Sequence, residues 1–369
     1  MALILGGVLF VQYLLYVRLG LKNVTYDLTL SVSEAFEGDE IEVVEEIENA
    51  KLLPLPWVRT EINCSRWLTF HGQKQDKNNK EQRGLVSGIF VLRGYQKCRR
   101  VWRVRCDKRG VFSVSDVSVS VSDLFGLAKP TMVVKIDKKI RVLPSPVELE
   151  TGVMSAEAFI GDIVVERFVL PDPFVISGAK EYTGREPMNR IHWSQTARTG
   201  TLMAYNNEFT TERRVLIVLN MQRGYNLERQ QLSVPVLESQ IKAAAFILDH
   251  CYKSRTEVSL VANSTTGLCT EYGTGYQHTI DVLRSLAELK NGCGKHIDDL
   301  FSELSFNGYT DVVLITPFIS DKVVEVLAVL QNNGVAISLF STEIEECGLC
   351  EVRHIPRGRY YITESGDDE

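Results

Sequence analysis

The chain has 369 residues, a formal net charge of -6 and 44% hydrophobic content, enough for about two globular domains at roughly 100–200 residues each. The mildly acidic balance, with no long run of Lys and Arg, leaves no electrostatic footprint for nucleic acid. Eight cysteines (Cys64, Cys98, Cys106, Cys251, Cys269, Cys293, Cys347, Cys350) are scattered along the chain, several within or beside apolar runs as in Asp249-His250-Cys251-Tyr252; this is the pattern of buried free thiols in a cytosolic body, not of a disulfide-stapled small domain.

The first element is an apolar stretch. Ala2 to Val17, ALILGGVLFVQYLLYV, has no charge, and with Arg18 snorkelling the run extends to Leu21, near the roughly 20 residues that a spanning helix needs. A signal peptide would begin with a basic region and end at a small-residue cleavage site, and neither is present. Arg18 and Lys22 follow the segment and no basic residue precedes it, so the positive-inside rule leaves the body of the chain in the cytoplasm. Residues 1–22 are expected to be a membrane anchor, short enough to take a neighbouring span as partner; the alternative is a buried core helix.

Residues 23–146 follow with a period of two. Val24, Tyr26, Leu28, Leu30 and Val32 alternate with mostly polar residues, Glu37-Gly38-Asp39 makes a turn, and Ile41, Val43 and Ile47 lie beyond it. Past the turn Lys108-Arg109-Gly110, Val117, Val119 and Val121 alternate with Ser. Short strands with turns between them and no helical window predict an antiparallel β-sandwich of the immunoglobulin or fibronectin kind, with Gln73 to Arg83 as an exposed loop.

Residues 147–212 connect this sandwich to a region of different pattern. The unbroken apolar run Val215 to Leu219 reads as a strand covered on both faces. A helix carries Leu237, Ile241, Ala244, Leu248 and Cys251 on one stripe, and a strand runs from Glu257 to Val261. A second helix carries Ile280, Leu283, Leu286 and Leu289 and closes at Asn291-Gly292, and a shorter one carries Ile297, Leu300 and Leu304. The strand Val312 to Ile315, a helix from Asp321 to Asn332 capped by Ser320 and followed by Gly334, and the strand Val335 to Phe340 complete the pattern. Such alternation predicts a doubly wound α/β domain over 213–360 with helices on both faces, and a frayed tail at 361–369.

Between the two regions stands KEYTGREPMNRIHWSQTARTGTLMAYNNEF, Lys180 to Phe209. Arg185, Arg190 and Arg198 supply planar charged forks, Glu181, Glu186 and Glu208 supply acceptors, and Trp193 offers a large apolar face. Two readings fit: a structural network in which Trp193 and Ile191 are buried and the arginines pin loops, or a recognition surface, since Arg, Trp and Tyr concentrate at binding hot spots.

Glu181-Tyr182, Arg190-Ile191-His192-Trp193 and Thr196-Ala197-Arg198 resemble the signature of the bacterial family called domain of unknown function fifty-eight. Leu53-Pro54-Leu55-Pro56-Trp57 is similar to its N-terminal segment, and Arg109-Gly110-Val111-Phe112 with Asp123-Leu124-Phe125-Gly126-Leu127 is similar to a third. The resemblance implies a membrane-anchored protein whose C-terminal domain is similar to the von Willebrand factor type A fold, working with a MoxR-type AAA+ ATPase. It also marks Tyr182, Arg190, His192, Trp193 and Arg198 as partner-binding candidates. Lys180, Asn189 and Gly184-Arg185-Glu186 depart from the family's Arg, Arg and Pro-Gly-Asp.

A type A domain holds Mg²⁺ through Asp-x-Ser-x-Ser, a Thr and a later Asp, because a hard cation takes oxygen ligands. Here Asn220, Gln222 and Gly224 stand in place of the first three, Pro317 in place of the last, and Thr279 alone remains, more simply as an N-cap. No metal and no cofactor are expected. Cys347-Gly348-Leu349-Cys350 lacks the four ligands of structural zinc, with only His354 near, and reads as two packed thiols. No histidine pair has ligand spacing, and neither a nucleophile elbow nor a phosphate-binding Gly-rich loop is present. The expectation is a non-catalytic membrane scaffold; the alternative is a thiol-dependent hydrolase or transferase using Cys269 or Cys347 with a nearby His.

Overall fold

The structure, a computed structural model, describes residues 2–72, 83–146, 176–182, 188, 191–207, 213–224, 231–341 and 359–362. The chain forms two compact units, one of Met1–Val147 with Ile280–Lys290 and one of Glu148–Thr279 with Asn291–Glu369.

The first unit opens with helix α1, Ala2–Leu19. Its 18 residues span about 27 Å at 1.5 Å per residue, less than the roughly 30 Å of a bilayer's hydrocarbon core. Among the described residues no helix is long and apolar enough to cross a membrane. The sandwich follows as β1 (Val24–Leu30), β2 (Glu34–Phe36), β3 (Glu40–Asn49), β4 (Leu55–Ser65), β5 (Leu68–Phe70), β6 (Arg83–Leu92), β7 (Gln96–Cys106), β8 (Gly110–Ser122) and β9 (Thr131–Leu143). One sheet has the order β1-β3-β7-β5 and the other β2-β9-β8-β4-β6. The predicted antiparallel sandwich is there with one exception, since β2 pairs with β9 in parallel. Val24, Tyr26 and Leu28 are buried as the alternation requires, but β1 ends at Leu30 and Val32 lies exposed beyond it. The loop expected from Gln73 to Arg83 lies outside the described residues but for Arg83, which begins β6.

The pleat also carries a charge inward. Ile41, Val43 and Ile47 face the core, and so does Glu45, which is fully buried. Its carboxylate accepts from the Tyr26 hydroxyl at 3.1 Å and the Trp102 indole N–H at 2.9 Å, the pairing that lets a carboxylate sit among apolar side chains. Burial, followed by the negative charge of Glu45, raises the Tyr26 phenol above its ordinary range and keeps it a donor.

Residues 280–290 join this unit through Arg109, a residue of the turn before β8. Its guanidinium donates to the carbonyls of Leu286 at 2.8 Å and Leu289 at 3.2 Å, capping the end of a helix with positive charge. Gly110 follows with φ +143°, a conformation that suits glycine, and a Cβ there would meet the Phe112 ring at 3.2 Å.

The second unit holds β10 (Ile176–Glu181), α2 (Trp193–Thr199), β11 (Met203–Asn207), β12 (Arg214–Leu219), α3 (Val234–Lys253), β13 (Glu257–Ala262), α4 (Tyr276–Glu288, shared with the first unit), α5 (Ile297–Glu303), β14 (Asp311–Thr316), α6 (Asp321–Asn332), β15 (Ala336–Ser341) and β16 (Arg359–Ile362). Strands β10 and β11 pair in a two-stranded sheet of their own, so the described residues of the connecting segment form a small lobe. The main sheet has the order β13-β12-β14-β15-β16 and every described pair in it is parallel. Ile247 and Cys251 of α3 lie beside Val215 and Val313, whereas α5 and α6 pack on Leu216, Val218, Val312 and Leu314. Alternate residues of the same strands thus face different helices, the doubly wound arrangement expected from the sequence. Strand β16 takes in Tyr361 and Ile362, which corrects the frayed tail expected from residue 361 at those two positions; residues 363–369 lie outside the described residues.

Candidate functional site

The strand order turns around β12: β13 lies on one side and β14 on the other, which places a crevice at the carboxyl ends of these strands. Asn220 follows β12, Asn263 follows β13, and Thr316 ends β14. All three are fully buried. The Asn220 amide donates to Thr316 Oγ1 at 2.8 Å and to the Phe318 carbonyl at 3.0 Å. Its oxygen accepts from the Gln222 backbone N–H and from Asn263 Nδ2, both at 3.0 Å. Asn263 in turn accepts from Met221 N at 2.6 Å and donates to the Lys295 carbonyl at 3.2 Å. Gln222 donates to the Gly224 carbonyl at 2.7 Å and accepts from Ile297 N at 2.9 Å, tying the crevice to the start of α5. Gln240 of α3 donates to the Asn220 carbonyl at 3.1 Å, while its own Oε1 is buried with no hydrogen-bond partner.

A divalent cation does not fit this arrangement. Hard cations are held by carboxylates and free oxygen lone pairs, whereas both lone-pair positions of Asn220 Oδ1 and the Oε1 of Gln222 already accept backbone or amide protons. Thr279 donates to the Gly275 carbonyl at 3.0 Å, one turn back from it. Among the described residues no group of three His, Cys, Asp or Glu side chains is placed to hold a metal ion.

Of the stretch from Lys180 to Phe209, the described residues 180–182, 188 and 191–207 contribute to the lobe of β10, α2 and β11. Ile191 is buried and bridges Ala204, and the His192 N–H donates to the Met203 carbonyl at 2.7 Å. His192 is the N-cap of α2, its Nδ1 accepting from Gln195 N at 3.3 Å. Thr196 accepts from Met203 N at 2.9 Å, and Gly200 ends the helix in the left-handed conformation. The Tyr182 backbone N–H donates to the Leu202 carbonyl at 2.8 Å, and its side chain is half-buried.

This small helix has no buried residue. Trp193 is 67% exposed, which overturns the expectation, attached to the structural-network reading, that it packs inside. The seven-residue helix is fastened from beneath by Ile191 and Thr196, and Trp193 at its first position points elsewhere. Arg198 is exposed, as are Met188 and Leu202. Arg190 lies outside the described residues, as do Arg185, Asn189, the Cys347/Cys350 pair, His354 and residues 363–369.

The thiols take different places. Burial pushes Cys64 and Cys251 up to about 12 and Cys106 to about 11, and raises Cys293 as well, so these are held as neutral packing groups. Cys269 is exposed. Three histidines serve the backbone, His192 and His296 as helix caps and His278 through its Nε2 at 2.8 Å from the Val258 carbonyl, whereas His71 Nε2 lies 3.0 Å from the Glu40 carboxylate. The amide network itself escaped the sequence reading, although Asn220, Gln222 and Asn263 at strand ends were its visible signal.

No protein-family model matches the chain and no curated protein matches it. Among solved structures, about a third of the chain is similar to small domains. The CARDB domain of the PF1109 protein from Pyrococcus furiosus matches 33% of this chain and 94% of its own at 7% identity and a TM-score of 0.22. A non-cellulosomal cohesin from Archaeoglobus fulgidus matches 32% and 91% at 16% identity and 0.22. A cohesin module of a Clostridium perfringens family 33 glycoside hydrolase matches 33% and 99% at 9% identity and 0.22.

Proposed function

We propose that this chain is a non-catalytic binding protein held at a membrane by α1, and that it docks a protein partner through the lobe carrying Tyr182, Arg190, His192, Trp193 and Arg198. The observation that carries the reading is the exposure of Trp193 and Arg198 on a helix with no buried residue, joined to β11 by the bonds from Met203 N to Thr196 and from His192 N to the Met203 carbonyl. A helix already fastened to a strand loses less entropy on meeting a partner than a free segment would, and Trp and Arg supply much of hot-spot energy.

The parallel sheet with its amide-filled crevice is read as a von Willebrand factor type A-like domain in which neutral side chains replace the cation site. The family resemblance of the lobe names the partner: a MoxR-type AAA+ ATPase. The apolar, exposed side chains of α1, among them Ile4, Val8 and Phe10, support attachment to lipid, with a second apolar segment alongside to complete the span.

The test is co-purification of the tagged full-length chain in mild detergent, beside a Trp193→Ala/Arg198→Ala variant shown to be folded. Recovery of an AAA+ ATPase with the wild type and its loss from the variant is the expected result; equal recovery with both would remove the lobe as the docking site.

A further inference from the structure

We infer that the end of the β-sandwich from which α1 leaves is a lipid-facing surface that lies on the membrane beside the anchor. The inference rests on the reading of α1 as the membrane attachment and says where the sandwich sits once attached.

Helix α1 is seated on this end by specific contacts. Tyr16, in its last turns, is buried in the sandwich core, and its hydroxyl donates to the Pro54 carbonyl at 2.9 Å. Lys51 Nζ donates to the carbonyls of Gly20 at 2.9 Å and Lys22 at 2.7 Å, satisfying acceptors just past the helix end. A Cβ on Gly20 would come within 2.4 Å of the Tyr16 carbonyl and 3.2 Å of Pro130 Cγ, so the chain passes tightly between α1 and the β8–β9 turn. Through Tyr16, Lys51 and Gly20, the segments 51–54 and 123–130 form the seat of the helix.

The same segments, with residue 95 beside them, carry large apolar side chains into solvent: Leu52 (79% exposed), Tyr95, Leu124, Phe125 (63%) and Leu127. The tip that bears three of them is built to present them. Asp123 Oδ1 accepts from Ala128 N at 3.1 Å, Gly126 N donates to the Asp123 carbonyl at 3.2 Å, and Gly126 sits at φ +74°. That closed turn leaves Leu124 and Phe125 outside while Ala128 is buried. Tyr95 is held at φ +56° with its N–H on the Lys51 carbonyl at 3.1 Å. Exposed apolar residues gathered on one end, around the base of an apolar helix, mark an interaction surface.

Charge selects the occupant. The segments 18–23, 50–54, 93–95 and 123–130 carry Arg18, Lys22, Lys51, Arg93 and Lys129, and their one acidic residue, Asp123, is buried. A basic collar around an apolar tip matches anionic headgroups over acyl chains. Trp57, which pairs with Ser122 at this end and is exposed, stands at the level where indoles collect at membrane interfaces. The resemblance-bearing segments at 53–57 and 123–127, which the docking lobe leaves without a role, thereby share one.

The experiment is photolabelling of the full-length chain in vesicles of phosphatidylcholine and phosphatidylglycerol containing a diazirine-bearing phosphatidylcholine, with adducts mapped by mass spectrometry. Labelling of α1 and of the 123–130 turn is expected, the turn exceeding Glu37–Asp39 by about tenfold as an inserted apolar tip should. Adducts on α1 with only background on the turn would leave the anchor standing and overturn the inference, showing that this end faces water or a protein. Adducts on neither would overturn the anchor reading and the inference with it.

Discussion

In the crevice Asn220 is fully buried, and both protons and both lone-pair positions of its amide are occupied; on α2, Trp193 is two-thirds exposed and Arg198 lies at the surface. The position that a doubly wound sheet ordinarily offers to a ligand is closed by its own side chains, while a lobe outside that sheet presents the residue types suited to binding. The crevice amides tie β12, β13 and β14 together at their ends, which leaves the lobe as the surface proposed above for a partner.

Five measurements test that contrast. Asn220→Ala should destabilise most, by about 3 kcal/mol, because it removes the acceptor shared by the buried Gln222 N–H and Asn263 Nδ2 and the amide that ties Thr316 and Phe318 to β12; thermal unfolding checks it, and a loss below about 1 kcal/mol would mean that water fills the gap. Thr196→Val, which removes the acceptor for Met203 N, should cost about 1–2 kcal/mol of local stability. Hydrogen exchange at Met203 should rise while the sheet is unaffected.

The third measurement concerns pH. The crevice amides do not titrate, so acid sensitivity must arise elsewhere, and in the first unit Glu34 is one source. Hydrogen bonds from Arg284 and then Arg141 hold its carboxyl below the usual glutamate range. A depressed folded value contributes stability that is present above the unfolded value of about 4.3 and is lost as pH falls through the folded one. Glu34→Gln should flatten that part of the acid profile at a cost of about 1 kcal/mol at neutral pH, a modest figure because the group is part-exposed.

Trp193→Ala should shift stability by less than about 0.5 kcal/mol and yet lose the partner, the reverse of Asn220→Ala; a large drop in melting temperature would return Trp193 to the structural reading. Finally, Mg²⁺ or EDTA should leave the melting temperature unchanged, since a bound ion would raise it by mass action. A rise with Mg²⁺ would show that the crevice opens to a cation after all.

Local pattern alone made much of the fold legible. The period of two over residues 23–146, the apolar runs at Val215–Leu219 and Val312–Ile315, the stripe on α3 and the Ser320 cap all have the predicted character in the structure. Each of these depends on neighbours in sequence or on a repeat that the backbone geometry imposes. What sequence left open depended on residues far apart. Glu45 sits at an inward position of β3 because Tyr26 and Trp102, 19 and 57 residues away, offer it protons. Asn220 reads as a missing carboxylate until Asn263 and Thr316, 43 and 96 residues on, meet it. Trp193 could be core or surface by composition, and only the way Ile191 and Thr196 fasten the helix from beneath turns it outward. Periodicity fixes which elements form, because the chain's own geometry sets it; where polar groups find their partners is a property of the assembled sheets, because desolvation is decided by whatever packs against each group.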